Sequence, residues 1–140
     1  MVDLWVSNKS HASAEYGNVK FWSTGNVTAM NLLFYSKQAF NEDISLWDTS
    51  RVTYVSRMVE SASACNGDII DWNTDRVTTM HSVFAYASSF NDEINDWNTV
   101  KFTTMLRMFD HASAFNGDIS DWNINNVSCM YQFFLFHPSI

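Results

Sequence analysis

Cysteine is scarce in this chain, basic charge is thin and no long apolar run occurs. Only Cys65 and Cys129 are present. They are too few for a disulfide framework and lack a metal-type spacing, so the core must be held by packing. Eight lysines and arginines face fifteen acidic residues, for a net charge of −7. Surfaces that track phosphates concentrate positive charge, so nucleic acid is not an expected partner. No apolar span approaches the ~20 residues a membrane helix needs. The opening MVDLWVSNKS has neither the basic start nor the apolar centre of a signal peptide, so a soluble chain is expected. The 140 residues suit one structural unit.

What is present is a repeat. Trp22, Trp47, Trp72, Trp97 and Trp122 are spaced by 25 residues throughout. In the same register run Val27, Val52, Val77, Phe102 and Val127, then Met30, Val55, Met80, Met105 and Met130. Phe34, Val59, Phe84, Phe109 and Phe134 align, as do Phe40, Cys65, Phe90 and Phe115, and Ile44, Ile69, Ile94 and Ile119. Asn41, Asn66, Asn91 and Asn116 form a polar column. A fixed period of this length marks a repeat architecture, in which each unit buries its apolar face only against its neighbours.

Within a unit Met80, Val83, Phe84 and Ala87 fall at i, i+3, i+4 and i+7, as do Met105, Met108, Phe109 and Ala112. This spacing predicts one short helix per unit, with Thr78 and Thr103 placed to cap its start. The remainder of each unit reads as a turn, a short strand near residues 94–97 and another turn. The expected fold is therefore an α/β, leucine-rich-repeat-like solenoid with one short helix and one short parallel strand per 25-residue turn. Val2, Trp5 and Val6 form one helical stripe, Asp3 can cap its start and Gly17 can end it, so residues 1–17 read as an N-terminal capping helix. Residues 18–140 read as the repeat region, ending in mid-repeat. Val59 and Cys65 in the phenylalanine columns, with Lys37 in an alanine column, predict looser packing early in the array.

The pattern W-[DN]-T-x-x-V-T-x-M-x-x-M-F-x-x-A-x-x-F-N-x-D-I-x-x, best seen in WNTVKFTTMLRMFDHASAFNGDISD at 97–121, resembles the repeat of the BspA-like surface proteins, the DUF285 family. The resemblance extends over about residues 16–136. It implies a leucine-rich-repeat-like solenoid of a kind common on bacterial cell surfaces and abundant in some unicellular algae. It implies adhesion or an unassigned role, an extracellular or cell-surface setting, and no catalytic residues.

Asn116, Asp118 and Ser120 present oxygen atoms at alternate residues of a turn, as calcium would require. Asn and Asp are equally the ordinary formers of such turns, and no metal or other cofactor is expected. Arg51, Arg76 and Lys101 form a basic stripe that could meet carboxylated glycans or simply be solvated. The threonine columns at 24/49/74/99 and 28/53/78/103 invite comparison with ice-binding arrays, although caps and turns account for them. His11, His81, His111 and His137 fall in three different columns, Cys65 reads as a buried thiol, and no nucleophile and base converge, so an enzyme is not expected. Sequons at Asn8, Asn26 and Asn126 matter only in a secretory pathway.

The C-terminal stretch CMYQFFLFHPSI is the most unusual. Terminal repeats normally carry a polar outer face, yet the columns holding Tyr35, Glu60, Ala85, Asp110 and Ser36, Ser61, Tyr86, His111 become Leu135 and Phe136. An all-round apolar helix expects burial. Tyr131, Leu135 and Phe136 are therefore candidate contacts for a protein partner, a second copy or a continuation of this protein, with truncation of a longer array as the equal alternative, and the chain reads as a non-enzymatic scaffold. The alternative reading is a calcium-dependent module built on the N-x-D-I-x-x-W turns.

Overall fold

The computed structural model describes residues 1–135. The chain opens with α1 (Val2–Ser7) and α2 (Lys9–Tyr16) rather than one helix. The break is at Asn8, whose extended backbone lets its side chain accept the His11 N–H at 3.1 Å and start α2 afresh. Gly17, at φ 72°, ends α2, a left-handed position that costs glycine little. Asp3 does not cap α1. Met1 occupies that position, and Asp3 pairs with Lys37 at 3.3 Å.

From Trp22 onward the chain winds through units that begin at each tryptophan: 22–46, 47–71, 72–96, 97–121 and the partial fifth, 122–135. The expected α/β solenoid, with a helix and a strand in every turn, is not what forms. Among the described residues the α-helices are α1 and α2, and strand pairing is confined to isolated parallel bridges joining Ala29, Tyr54, Thr79, Thr104 and Cys129. No sheet is built, and residues 94–97 form no strand.

The reason lies in the backbone of the segment expected to be helical. Ser82 and Tyr86 sit at φ 52° and 58°, and the same two columns are left-handed in every complete unit, at Leu32 and Ser36, Arg57 and Ser61, Arg107 and His111. Left-handed residues at both sites forbid an α-helix through Met80–Ala87. The segment instead folds as successive four-residue turns, closed by Val83 N–H to Met80 C=O, Ala85 to Ser82 and Ala87 to Phe84 at 3.4, 3.2 and 3.0 Å. Back-to-back turns return side chains to one face at intervals of three and four, as a helix does. Met80, Val83, Phe84 and Ala87 are accordingly buried.

The N–H groups between those turns reach out of the unit. Met80, Ser82, Phe84 and Tyr86 donate to the carbonyls of Thr104, Leu106, Met108 and Asp110 in the next unit, at 2.7–3.0 Å. Met105, Arg107, Phe109 and His111 repeat this toward Cys129, Tyr131, Phe133 and Leu135. Two left-handed non-glycine residues per unit carry strain of roughly 1–2 kcal/mol each. A backbone ladder that satisfies donors otherwise buried without partners offsets it.

Side chains copy the same register. From the second unit on, each unit's opening tryptophan donates its indole N–H to a carbonyl 28 residues earlier, Trp47 to Val19, Trp72 to Ile44, Trp97 to Ile69 and Trp122 to Ile94. Thr53, Thr78, Thr103 and Ser128 hydroxyls donate to the carbonyl of the same column one unit back. Thr78 and Thr103 are thus stacking residues rather than helix caps.

The core is a continuous column of these apolar side chains. Phe84 and Phe109 stack with centroids 5.5 Å apart, and Phe90 and Phe115 at 5.9 Å. Val59 and Cys65 interrupt both aromatic columns, and a cavity of about 30 Å³ lies there, lined in part by Met58, Val59, Cys65, Ile69 and Phe84.

Candidate interaction edge

Asparagine forms the polar rungs of the stack. The Oδ1 atoms of Asn41, Asn66 and Asn91 accept the backbone N–H of Asn66, Asn91 and Asn116, at 2.9, 2.7 and 2.9 Å. Two residues on, Asp118 folds back on its own turn. Its Oδ1 accepts the Ser120 N–H at 2.9 Å, and that bond, with the Ser120 hydroxyl, holds its carboxyl below the usual carboxylate range. Asp43 makes the same turn with Ser45, and Lys20 beside it contributes most to pulling its pKa down to about 2. Asp118 and Ser120 are therefore engaged in their own turn, and Asn116 joins the ladder through its backbone N–H. Among the described residues no three His, Cys, Asp or Glu side chains converge as metal ligands would.

Arg51, Arg76 and Lys101 are exposed along one line, and Arg51 donates to Asn26 Oδ1 at 3.0 Å. Asn126 donates to the Val100 carbonyl at 2.7 Å. Thr24, Thr49, Thr74 and Thr99 are buried and donate 24 residues forward, and Thr53, Thr78 and Thr103 donate one unit back, so neither column presents a free hydroxyl array.

The structure assembles one cluster that column arithmetic missed. Asp110, wholly buried, accepts from Arg107 Nε at 2.7 Å and pairs with His111 Nδ1, while the Tyr86 ring stacks on His111 at 4.7 Å. Unit 47–71 holds a simpler version, Arg57 with Glu60 at 2.6 Å, the guanidinium lying over Tyr35. The signal was in the chain as an arginine followed three residues later by an acid in the same columns of two units. Its meaning depended on the left-handed turns that bring the pair together.

The two ends of the stack differ. Trp5 is buried on the N-terminal end, meeting Trp22 edge-on at 5.5 Å, with Val2 and Leu4 packed beside it. At the other end Tyr131 is 68% exposed, with Ile124 and Met130 also exposed. Tyr131 and Leu135 are bound through their carbonyls to Arg107 and His111, and residues 131–134 form turns and bends rather than the expected apolar helix. Phe136 lies outside the described residues. The edge formed by 116–121 and 128–135 shows the groups that pair between inner units: Asn116 Oδ1, the Ser128 carbonyl, and the N–H groups of Met130 and Gln132. None of these has a partner among the described residues.

The sequence model of the family described as "Mycoplasma protein of unknown function, DUF285" matches residues 5–105 and again 65–138. The chain belongs to the DUF285 family. Its two overlapping matches fit a DUF285 chain whose units superpose on one another by a shift of register. No curated protein and no solved structure matches this DUF285 chain. Among its described residues no helix is long and apolar enough to cross a membrane.

Proposed function

We propose that this DUF285 chain is a non-enzymatic protein-contact module that engages its partner through the edge at 116–135. The difference between the two ends carries the reading. One end is covered by α1 and α2, whereas the other combines exposed Ile124, Met130 and Tyr131 with unpaired backbone and amide groups. An apolar patch bordered by strand-type donors and acceptors suits the addition of a chain segment from another molecule, because main-chain bonds supply affinity and apolar pockets specificity. The segment can belong to a second copy or to another protein. The family resemblance favours a cell-surface setting, where such a contact would serve adhesion or the assembly of a larger scaffold.

Light scattering over a concentration series tests the self-contact form of this reading. The expected mass rises with concentration and falls back to that of one chain in Tyr131→Asp. A single-chain mass at every concentration, unchanged by the substitution, would count against it.

A further inference from the structure

Two Asn–Gly steps occur, Asn66–Gly67 and Asn116–Gly117, in the same columns of two units. Such a step is chemically vulnerable, because glycine has no Cβ to obstruct attack of its nitrogen on the preceding side-chain amide. The fold treats the two steps differently. Asn66 lies inside the stack, donating its N–H to Asn41 and accepting that of Asn91 at 2.7 Å. Crowding at the glycine does not separate the two steps: a Cβ on Gly67 would lie 3.0 Å from the Glu42 carbonyl oxygen, and one on Gly117 3.0 Å from the Phe115 ring and 3.4 Å from the Asp92 carbonyl oxygen.

Asn116 has only the inward half of this arrangement. Its N–H donates to Asn91, while its side-chain amide holds no partner among the described residues. The step lines an open groove of about 410 Å³ with Asp92, Glu93, Asn95 and Asp118, which gives water access to it.

We propose that Asn116 is a site of spontaneous intramolecular modification and that Asn66 is protected by the stack. The Gly117 nitrogen attacks Asn116 Cγ, giving up its proton to water as the new C–N bond forms. The Cγ–Nδ2 bond breaks as Nδ2 takes up a proton from water, so that ammonia leaves and a five-membered succinimide remains. Water then opens the ring at either carbonyl, leaving aspartate in the original backbone or isoaspartate in which the chain runs through the former side chain. Either product places a new carboxylate near Asp118. The isoaspartyl form also lengthens the backbone at the exposed edge by one carbon. The chemistry needs only the accessible step and stands independently of the proposed contact.

The test is prolonged warm incubation of the full chain at mildly alkaline pH, followed by proteolysis and mass spectrometry that reads replacement of the amide NH2 by OH. The Asn116 peptide is expected to convert about tenfold faster than the Asn66 peptide, the factor that breaking the extra Asn91 N–H bond at Asn66 Oδ1 implies. In urea the two rates should converge. Equal rates in the folded chain, faster conversion at Asn66, or a ratio that persists in urea would each overturn the proposal. Gly117→Ala should slow Asn116 alone. Its new Cβ would approach the Phe115 ring to 3.0 Å, so Asn116→Gln, which keeps Gly117, is the companion variant and should abolish the product. Unchanged conversion in Gly117→Ala would rule out attack by that nitrogen.

Discussion

The indole Nε1 of Trp97 donates to the backbone carbonyl of Ile69 at 3.2 Å, linking two units through a buried hydrogen bond. The same bond occurs at four tryptophans, and each ties a core side chain to a backbone carbonyl 28 residues earlier, beyond the span of one unit. Trp97→Phe keeps an aromatic ring in the column but removes the donor and some volume. It should cost roughly 1–3 kcal/mol in urea denaturation without changing the dependence on denaturant. A loss below a few tenths would mean that the bond does not couple the units.

The cavity beside Cys65 sets a second expectation. Filling about 30 Å³ at ~24 cal/mol per Å³ corresponds to about 0.7 kcal/mol. Cys65→Val adds roughly that volume and should stabilise the chain by a similar amount. Cys65→Phe should do worse, because a full phenyl exceeds the space and overpacks it. The melting temperatures of the two variants decide the order.

Thiol chemistry should separate the two cysteines. Burial pushes the Cys65 thiol above its ordinary range, and the thiolate is the reactive form. Cys129 is only half-buried. A thiol reagent added to the native chain should label Cys129 first and reach Cys65 on unfolding, whereas equal native rates would contradict the buried column.

Acid should loosen the N-terminal junction. Lys20 and the Ser45 turn lower Asp43 from its ordinary 3.8 to about 2. A carboxylate depressed on folding contributes stability that is present above the unfolded value and lost as pH falls through the folded one. The loss therefore falls between about pH 4 and pH 2. Lys20→Met should shrink that part of the pH dependence, measured as the change in unfolding midpoint over this range. An unchanged acid profile would show that the pair adds nothing in solution, as exposed pairs often do.

Arg107 should matter more than Arg57, although the two occupy one column. The Asp110 carboxylate is wholly buried while Glu60 is 15% exposed, and removing Arg107 leaves that buried carboxylate with only the His111 ring as a side-chain partner among the described residues. Arg107→Ala is expected to cost about 2–4 kcal/mol and Arg57→Ala about 1 or less. Paired urea titrations read the difference directly.

Much of this architecture was legible in the chain. The tryptophan period located every unit, the columns named the buried face, and Val59 with Cys65 marked where packing is weakest. The α/β reading failed at Met80, Val83, Phe84 and Ala87, because spacing of three and four is shared by an α-helix and by consecutive tight turns. Ser82, Tyr86, Arg107 and His111 are not residues that announce left-handed backbone, as glycine would. Their φ values follow from the inter-unit ladder, which no local pattern records. The Asp118 turn was readable as an acidic loop, but its bond to Ser120 appears only in three dimensions. The exposed edge was foreshadowed by apolar residues in CMYQFFLFHPSI, and its unpaired groups became visible once the ladder register was known.

Scalar couplings across hydrogen bonds test the stacked-turn architecture most directly. Stacked units predict a coupling from the Phe84 N–H to the Met108 carbonyl, whose bond is 3.0 Å long, with matching couplings from Ser82 to Leu106 and Tyr86 to Asp110. A coupling from the Phe84 N–H to the Met80 carbonyl would contradict it, because that bond belongs to an α-helix.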